Sequence, residues 1–263
     1  MTAASPAQNG TRMPVVFIGH GSPENALEEN AFTRGWKALA HSLARPKAIL
    51  SISAHWLTEG TAVTAMDKPR TIHDFYGFPQ TLNEIEYPCK GSPDLAARVR
   101  KTVKTVRVQP DAEWGLDHGT WSVLVNMYPQ ADIPVAQLSL DYYLPPAKQY
   151  QIGRELQPLR EEGILILGSG NLVHNLMAID FHAAPFAWAL DFDHYVEDAL
   201  AARDDDALIR YHERRSAHLA HPTFDHYLPL LYVLGASGKE TPRQFNEGFF
   251  AASVSMRCAV FGE

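Results

Sequence analysis

Residues 15–23 read Val15-Val16-Phe17-Ile18-Gly19-His20-Gly21-Ser22-Pro23, a short apolar run that ends in glycine and histidine. Such a run indicates a buried strand, and the glycines on either side of His20 allow the backbone to turn sharply after it. The pattern recurs at 48–56, which ends in His55-Trp56, and at 164–168, which is followed by a glycine-containing turn. Continuous apolar strands of this kind are typical of parallel sheets.

The rest of the chain alternates between the two kinds of secondary structure. Apolar, β-rich runs predict strands at 14–18, 48–53, 61–66, 103–108, 134–140 and 164–168. Helical spacing of apolar residues predicts helices at 32–43, 94–103, 121–127, 147–161, 188–202 and 206–219. The alternation predicts an α/β fold, a single domain with a central mixed, largely parallel sheet flanked by helices. The tail, 243–261, is expected to return one or two strands to that sheet.

The bulk properties of the chain bound its function. Residues 1–13 are small and polar and are expected to form a disordered tail before one domain over 14–263. The formal net charge is −7 and no run of Lys or Arg exceeds two residues, which argues against a nucleic-acid partner. Cys89 and Cys258 are too far apart for paired thiolate ligands, and the longest apolar stretch, 228–236, is too short for a membrane span. A cytoplasmic protein without a membrane partner is therefore expected.

Three of the twelve histidines follow predicted strands. His20 and His55 come at the ends of the first two, and His174 lies a few residues beyond the strand at 164–168. Side chains at the carboxyl ends of strands in an open α/β sheet converge on one edge, where ligand sites form. The three positions together predict a shared metal or catalytic site.

The other histidines divide into candidates and bystanders. His118 lies in a glycine-flanked loop, which is typical of functional loops, whereas His226 opens an apolar helix-like run where capping or packing is an equal alternative. His73, in an aromatic segment, is a candidate for the pocket wall. The remaining ones, expected to be solvated or without function, are His41, His182, His194, His212, His218 and His221.

Six spaced motifs connect these histidines with a known family. The motifs are Gly19-His20-Gly21-Ser22-Pro23, Ser53-Ala54-His55-Trp56, 71–79, Asp117-His118-Gly119-Thr120-Trp121, 170–176 and His226-Tyr227-Leu228-Pro229-Leu230. Their order resembles that of the class III extradiol ring-cleavage dioxygenases, and in particular the 4,5-DOPA extradiol dioxygenase branch. The resemblance runs from about Met13 to the C-terminus, so it makes 14–263 the catalytic domain.

The resemblance implies a mononuclear site. His20 and His55 would be metal ligands, His174 and His226 would complete the ligand set, and His118 would act nearby as an acid or base. One divalent metal per chain is implied, Fe(II) for activity or Zn(II) in the purified protein, because an all-imidazole set also suits zinc. Aromatic-acid members of the superfamily carry a glutamate where this chain has His226. The substrates implied are O₂ and a catechol such as L-DOPA.

The chemistry of ring opening needs a group that takes and returns a proton, and His118 and His174 are the candidates. Whether His174 is a permanent ligand or a base stays open at this point. Asp74, Asp117 and Asp225 each adjoin a histidine, but adjacent residues rarely form such hydrogen bonds, so no carboxylate–histidine pairing is expected. Aromatic residues close to the motif histidines are expected to line the substrate pocket: Trp56, Phe75, Tyr76, Phe78, Trp121 and Tyr227.

Two alternatives remain for a histidine site of this kind. A zinc-dependent hydrolase would use the same ligands to activate water, although no glutamate lies in an HExxH frame. A non-catalytic metal-binding protein of the same fold would keep the ligands without turnover.

Overall fold

The computed structural model describes residues 12–263. Its strands are Val15–Gly19 (β1), Ala48–Thr58 (β2), Thr61–Thr64 (β3), Val108–Asp111 (β4), Val135–Asp141 (β5), Ile164–Gly170 (β6), Pro242–Phe245 (β7), Phe249–Phe250 (β8), Val254–Ser255 (β9) and Cys258–Phe261 (β10). Its α-helices are Ala31–Ser42 (α1), Gln80–Asn83 (α2), Pro93–Thr102 (α3), His118–Met127 (α4), Pro146–Leu156 (α5), Ala187–Ala202 (α6), Asp205–Ile209 (α7), Ala217–Ala220 (α8) and Leu228–Ala236 (α9). Short 3-10 turns include Pro23–Ala26 and Leu176–Ala178.

Eight of these strands form one mixed sheet in the order β4-β3-β5-β2-β6-β1-β10-β7. Its centre is parallel, since β5, β2, β6 and β1 all run the same way. At one side β10 and β7 are antiparallel additions, and at the other β3 meets β5 in antiparallel fashion. This confirms the predicted α/β architecture, and it brings the carboxyl ends of β1, β2 and β6 to one edge.

Helices cover both faces of the sheet, as the apolar strands require. Alternate residues of β1 point to opposite sides: Val15 and Phe17 join a core that includes α9, whereas Val16 and Ile18 join a core that includes Trp36 of α1. A central strand that is buried on both faces is held on a rigid platform, so residues at its end have fixed positions.

Several predicted elements were wrong in their boundaries, and two of them differ most clearly. The strand expected at 103–108 begins at Val108, because Val103 caps the end of α3. The helix expected at 206–219 is broken into α7, a 3-10 turn and α8, since Tyr211 turns inward between them and stacks on Tyr227. The C-terminal tail does return two strands to the main sheet, and it also forms the small β8–β9 hairpin.

The folded body begins before residue 14. Met13 is buried, its amide donates to the Arg160 carbonyl over 3.0 Å, and Arg160 Nε donates to the Met13 carbonyl over 2.7 Å. Met13 therefore belongs to the fold, not to the tail in which the sequence placed it. Of the other residues in the predicted tail, Arg12 pairs with Glu161 and Glu240, and 1–11 lie outside the described residues. Within 12–263, no helix combines the length and the apolarity that crossing a membrane demands.

Candidate metal centre

His20 is fixed at the tip of β1 by buried hydrogen bonds. Its amide donates to the Gly170 carbonyl of β6 over 3.0 Å, and its ring Nδ1 lies 3.0 Å from Ser169 Oγ. Because Ser169 gives its single hydroxyl proton to the Gly119 carbonyl, the Nδ1 of His20 must be the donor of this bond. The lone pair of His20 is therefore on Nε2, the atom that faces the other histidines.

His55 lies inside β2 and not at its end, which corrects the predicted position. The strand continues to Thr58, and its register against β5 shifts between Ile52 and Leu57. This irregularity surrounds His55 and lets the ring reach the edge where His20 stands. The two Nε2 atoms are 3.2 Å apart, and His55 Nδ1 lies 3.4 Å from Asp74 Oδ2.

His226 approaches from the opposite side, two residues before α9. Its ring Nδ1 donates to the carboxylate of Asp225, so the expectation that neighbours in sequence do not pair was wrong here. The carbonyl of His226 accepts the Asn171 amide over 3.0 Å, which ties it to the end of β6. Its Nε2 is buried and has no hydrogen-bond partner within residues 12–263.

His118 and His174 flank the other three rings. His118 is the first residue of α4, capped by Asp117, so the predicted loop is a helix start three residues earlier than expected. Its ring centroid is 3.8 Å from that of His55. His174 lies flat against His226, with centroids 3.4 Å apart and planes inclined by 7°.

Three imidazoles converge as metal ligands do. One nitrogen from each of His20, His55 and His226 lies within 4.8 Å of the others. Nitrogen ligands at about 2.0–2.1 Å from a divalent ion are separated by roughly 3–3.4 Å, which the His20–His55 distance of 3.2 Å matches. The lone pair of His20 Nε2 faces His55 Nε2, and the buried Nε2 of His226 has no partner among residues 12–263, an arrangement that a shared cation would satisfy. The donor set therefore fits one divalent metal.

Burial keeps these rings in the form that binds metal. It lowers the pKa of His20, His55 and His226 well below the ordinary value, and the neighbouring imidazoles lower it further. Burial also lowers the pKa of His174 to about 4. Neutral imidazole is the metal-binding state, so no proton has to be displaced from these rings near pH 7.

Asp74 is the residue in contact with these histidines that the sequence did not identify. Its Oδ1 accepts the amide of His118 over 2.9 Å and lies 3.0 Å from the ring Nδ1, while Oδ2 faces His55. Burial raises the pKa of Asp74, but the hydrogen bonds and charge interaction with His118 outweigh it, and the pKa falls to about 2. The side chain thus reaches histidines distant in sequence, not its neighbour His73, and the fold alone brings them together.

The histidines form the floor of a cavity of about 420 Å³. Phe75, Tyr76 and Phe78 line it as predicted. The other three aromatic predictions were wrong, because they pack elsewhere: Trp56 stacks on Trp114, while Trp121 and Tyr227 are fully buried in the core. The sequence did not identify the apolar lining contributed by Leu176, Ile179, Phe181, Phe250 and Val254.

The predicted bystander histidines lie outside this cavity. His41, His182, His194, His212 and His218 are exposed. His221 is buried, with Nε2 bonded to the Leu172 carbonyl over 2.8 Å. His73 does not line the cavity; its Nε2 donates to the Ile85 carbonyl over 3.0 Å, and its ring supports Phe75 and Trp121 from behind.

Comparison with known proteins places this geometry in a family. The family model for the catalytic LigB subunit of aromatic ring-opening dioxygenase matches residues 13–261. The chain is 48% identical to the 4,5-DOPA dioxygenase extradiol of Escherichia coli (strain K12), over 97% of this chain and 96% of that protein. It is 39% identical to the protein of the same name from Beta vulgaris, over 86% and 87%.

A solved structure agrees with this match. The crystal structure of an uncharacterized protein from Escherichia coli K12 resembles this one with a TM-score of 0.84 at 44% identity, over 95% of this chain and 100% of that one. The sequence match and the shared fold extend over the whole described domain. The chain therefore belongs to the LigB family of class III extradiol dioxygenases, which open aromatic rings.

Proposed function

We propose that this chain opens the ring of a catechol such as L-DOPA by extradiol cleavage with O₂, at a mononuclear metal centre held by His20, His55 and His226. The observation that carries the proposal is the convergence of three neutral imidazole nitrogens at the floor of a cavity walled by aromatic side chains. A planar apolar ring with two adjacent oxygens matches such a cavity. The names of the relatives from Escherichia coli and Beta vulgaris support L-DOPA as the first substrate to test.

The metal proposed is a single divalent ion, Fe(II) in the active enzyme and Zn(II) as an occupant in purified protein. When bound, it would hold both catechol oxygens and lower their pKa while leaving a position for O₂. Three protein ligands leave room for these groups. The cytoplasmic location of the protein stays a prediction from the sequence.

His174 is proposed as a proton acceptor and donor rather than a permanent ligand. It is absent from the set of converging nitrogens, and its ring lies face to face with the ligand His226 at 3.4 Å. Because the two rings are stacked, the edge of the His174 ring lies beside the nitrogens of His226 and not in line with them. With a pKa of about 4 it is neutral near pH 7 and can take a proton from a catechol hydroxyl.

His118 is proposed to orient the catechol and to take part in proton transfer from the opposite wall. The Asp74 carboxylate faces its Nδ1 at 3.0 Å and favours a proton on that nitrogen. The other ring nitrogen of His118, Nε2, is then the one that can form a hydrogen bond with a hydroxyl in the cavity that His118 lines. Two imidazoles on two sides of the bound ring can then exchange protons with its hydroxyl groups.

The test is ring opening by protein reconstituted with Fe(II) under anaerobic conditions. L-DOPA, dopamine, caffeate and protocatechuate are supplied separately, and oxygen consumption is followed together with the absorbance of a ring-opened semialdehyde. We expect product with L-DOPA, none with His20→Ala, and wild-type behaviour with His41→Gln, a matched change at an exposed histidine of α1. If iron fills the site and none of the four catechols is opened, the chain is a metal-binding protein without this activity.

A further inference from the structure

The cavity has a charge asymmetry that bears on the substrate. Of the described residues that line it, none is Lys or Arg, whereas two are carboxylates, Glu24 and Asp74. Asp74 is occupied by His55 and His118 at the floor. Glu24 is not committed in this way, because it forms no ion pair within residues 12–263 and is partly exposed.

Glu24 is held at the cavity by a rigid loop. It lies in the 3-10 turn Pro23–Ala26, where its amide donates to Ser22 Oγ over 3.2 Å and the Ser22 hydroxyl donates to its carboxylate over 3.2 Å. The next residue, the buried Asn25, donates to the His20 carbonyl over 2.9 Å. Asn126 of α4 in turn donates to the Asn25 carbonyl over 2.9 Å. The position of Glu24 relative to His20 is therefore fixed before any ligand binds.

The geometry points to a catechol with a cationic side chain as the preferred substrate, and to Glu24 as the residue that recognises the positive charge. This inference rests on the proposed function. With its two oxygens at the histidines, the ring directs its substituent away from the floor and toward the mouth. An ammonium there meets the Glu24 carboxylate and the aromatic faces of Phe75, Tyr76 and Phe78, both of which attract cations.

An anionic substituent would be disfavoured at the same position. A carboxylate at the mouth would lose water without gaining a Lys or Arg partner, and Glu24 would repel it. For an amino acid such as L-DOPA, the ammonium is then the group that is recognised, and the carboxylate contributes nothing favourable. We therefore expect dopamine, which lacks that carboxylate, to be at least as good a substrate as L-DOPA.

The experiment uses three catechols that differ in the charge of the side chain: dopamine, 4-ethylcatechol and 3-(3,4-dihydroxyphenyl)propionate. Values of kcat/KM are measured for the Fe(II) enzyme, and dissociation constants for the Zn(II) enzyme by calorimetry, so that binding is seen without turnover. We expect the order cationic, neutral, anionic. In Glu24→Gln the ratio of dopamine to 4-ethylcatechol should fall about two- to fivefold, the range for a partly exposed ion pair. Glu24→Lys should shift the preference toward the propionate.

The control variant is Glu29→Gln, an exposed glutamate of the same loop that does not line the cavity. It should keep the wild-type ratios. A wild-type enzyme that prefers the propionate, or a Glu24→Gln enzyme that keeps the wild-type ratio in both measurements, would overturn the inference. The two proposals fail separately, since an enzyme that opens none of the three catechols contradicts ring opening itself, whereas turnover of any one of them leaves the charge preference as the quantity under test.

Discussion

The two sides of the proposed metal centre are built differently. His20 and His55 stand on β1 and β2, in the parallel centre of the sheet, and we call this the strand side. His174 and His226 stand on irregular segments after β6 and before α9, and we call this the loop side. On the strand side, the backbone hydrogen bonds between the strands hold the histidines in place. The loop side has to be positioned by separate contacts.

Those contacts come from several distant segments. The amide of His174 donates to the Ala220 carbonyl over 2.8 Å, and the same residue bridges to Val254 of the C-terminal hairpin. His226 is tied to Asn171 through its carbonyl and to Asp225 through its ring. The strand side is thus formed by the sheet itself, whereas the loop side is complete only when the C-terminal part of the chain has packed. Changes on the loop side should accordingly disturb both metal binding and folding.

The largest effect is expected from removal of a ligand. His20→Ala and His226→Ala should each weaken metal binding more than about 100-fold, beyond the effect of losing a group that merely supports a ligand. Both should abolish turnover. Metal content after dialysis against a chelator gives the measurement, with His41→Gln as the control. A full equivalent of metal retained by either variant would contradict the ligand assignment.

The comparison between the sides adds a second readout to these variants. Since His20 rests on a strand end that other bonds hold, the metal-free His20→Ala protein should unfold close to the temperature of the metal-free wild type. Metal-free His226→Ala also loses the stacking with His174 and the bond to Asp225, and its melting temperature should be lower. Equal melting temperatures would remove the distinction between the sides.

The next largest effect concerns proton transfer. His118→Gln should retain the metal, because this ring is not one of the three proposed ligands His20, His55 and His226, yet slow turnover by roughly two to four orders of magnitude. Metal analysis and steady-state oxygen uptake are measured on the same preparation. An unchanged rate would assign His118 a structural role at the start of α4.

The sequence predicted the strand side better than the loop side, for a physical reason. Apolar runs that end in glycine are local signals, and the rule that carboxyl ends of parallel strands meet converts them into a site. Asp74 carries no such signal, since its partners are distant in sequence and its neighbour is a different histidine. The apolar wall at 176–181 and the C-terminal hairpin lack periodicity, so their approach to the cavity follows from tertiary packing alone. The six motifs identified the histidines of both sides through resemblance.

A mutation at the joint between the two sides should have an intermediate effect. Gly170 ends β6, pairs with Gly19 of β1, and packs against the carbonyl of His226 so closely that a methyl group would collide with it. Gly170→Ala should therefore lower the free energy of unfolding by about 3 kcal/mol, at the upper end for overpacking a well-packed site. Denaturant unfolding of metal-free protein measures it. Gly60→Ala, where the added methyl meets open space, should cost about 1 kcal/mol for its positive φ.

The smallest effects, and the sharpest comparison, concern the two supporting carboxylates. Asp225 bonds the ring of the proposed ligand His226, whereas Asp74 lies closer to His118 than to the proposed ligand His55, at 3.0 Å against 3.4 Å. Losing such a partner typically costs 10- to 100-fold in metal affinity or activity.

Asp225→Asn should show this loss in affinity, and excess Fe(II) should restore most of its turnover. In Asp74→Asn the loss should appear in kcat at saturating metal, because His118 is no longer held in its orientation. Affinity from chelator competition and kcat at saturating Fe(II) are measured for both, beside Asp132→Asn, an exposed carboxylate paired with Arg45. If the two site variants lose the same quantity, Asp74 acts through the metal ligands, and His118 is oriented by its place at the start of α4 instead.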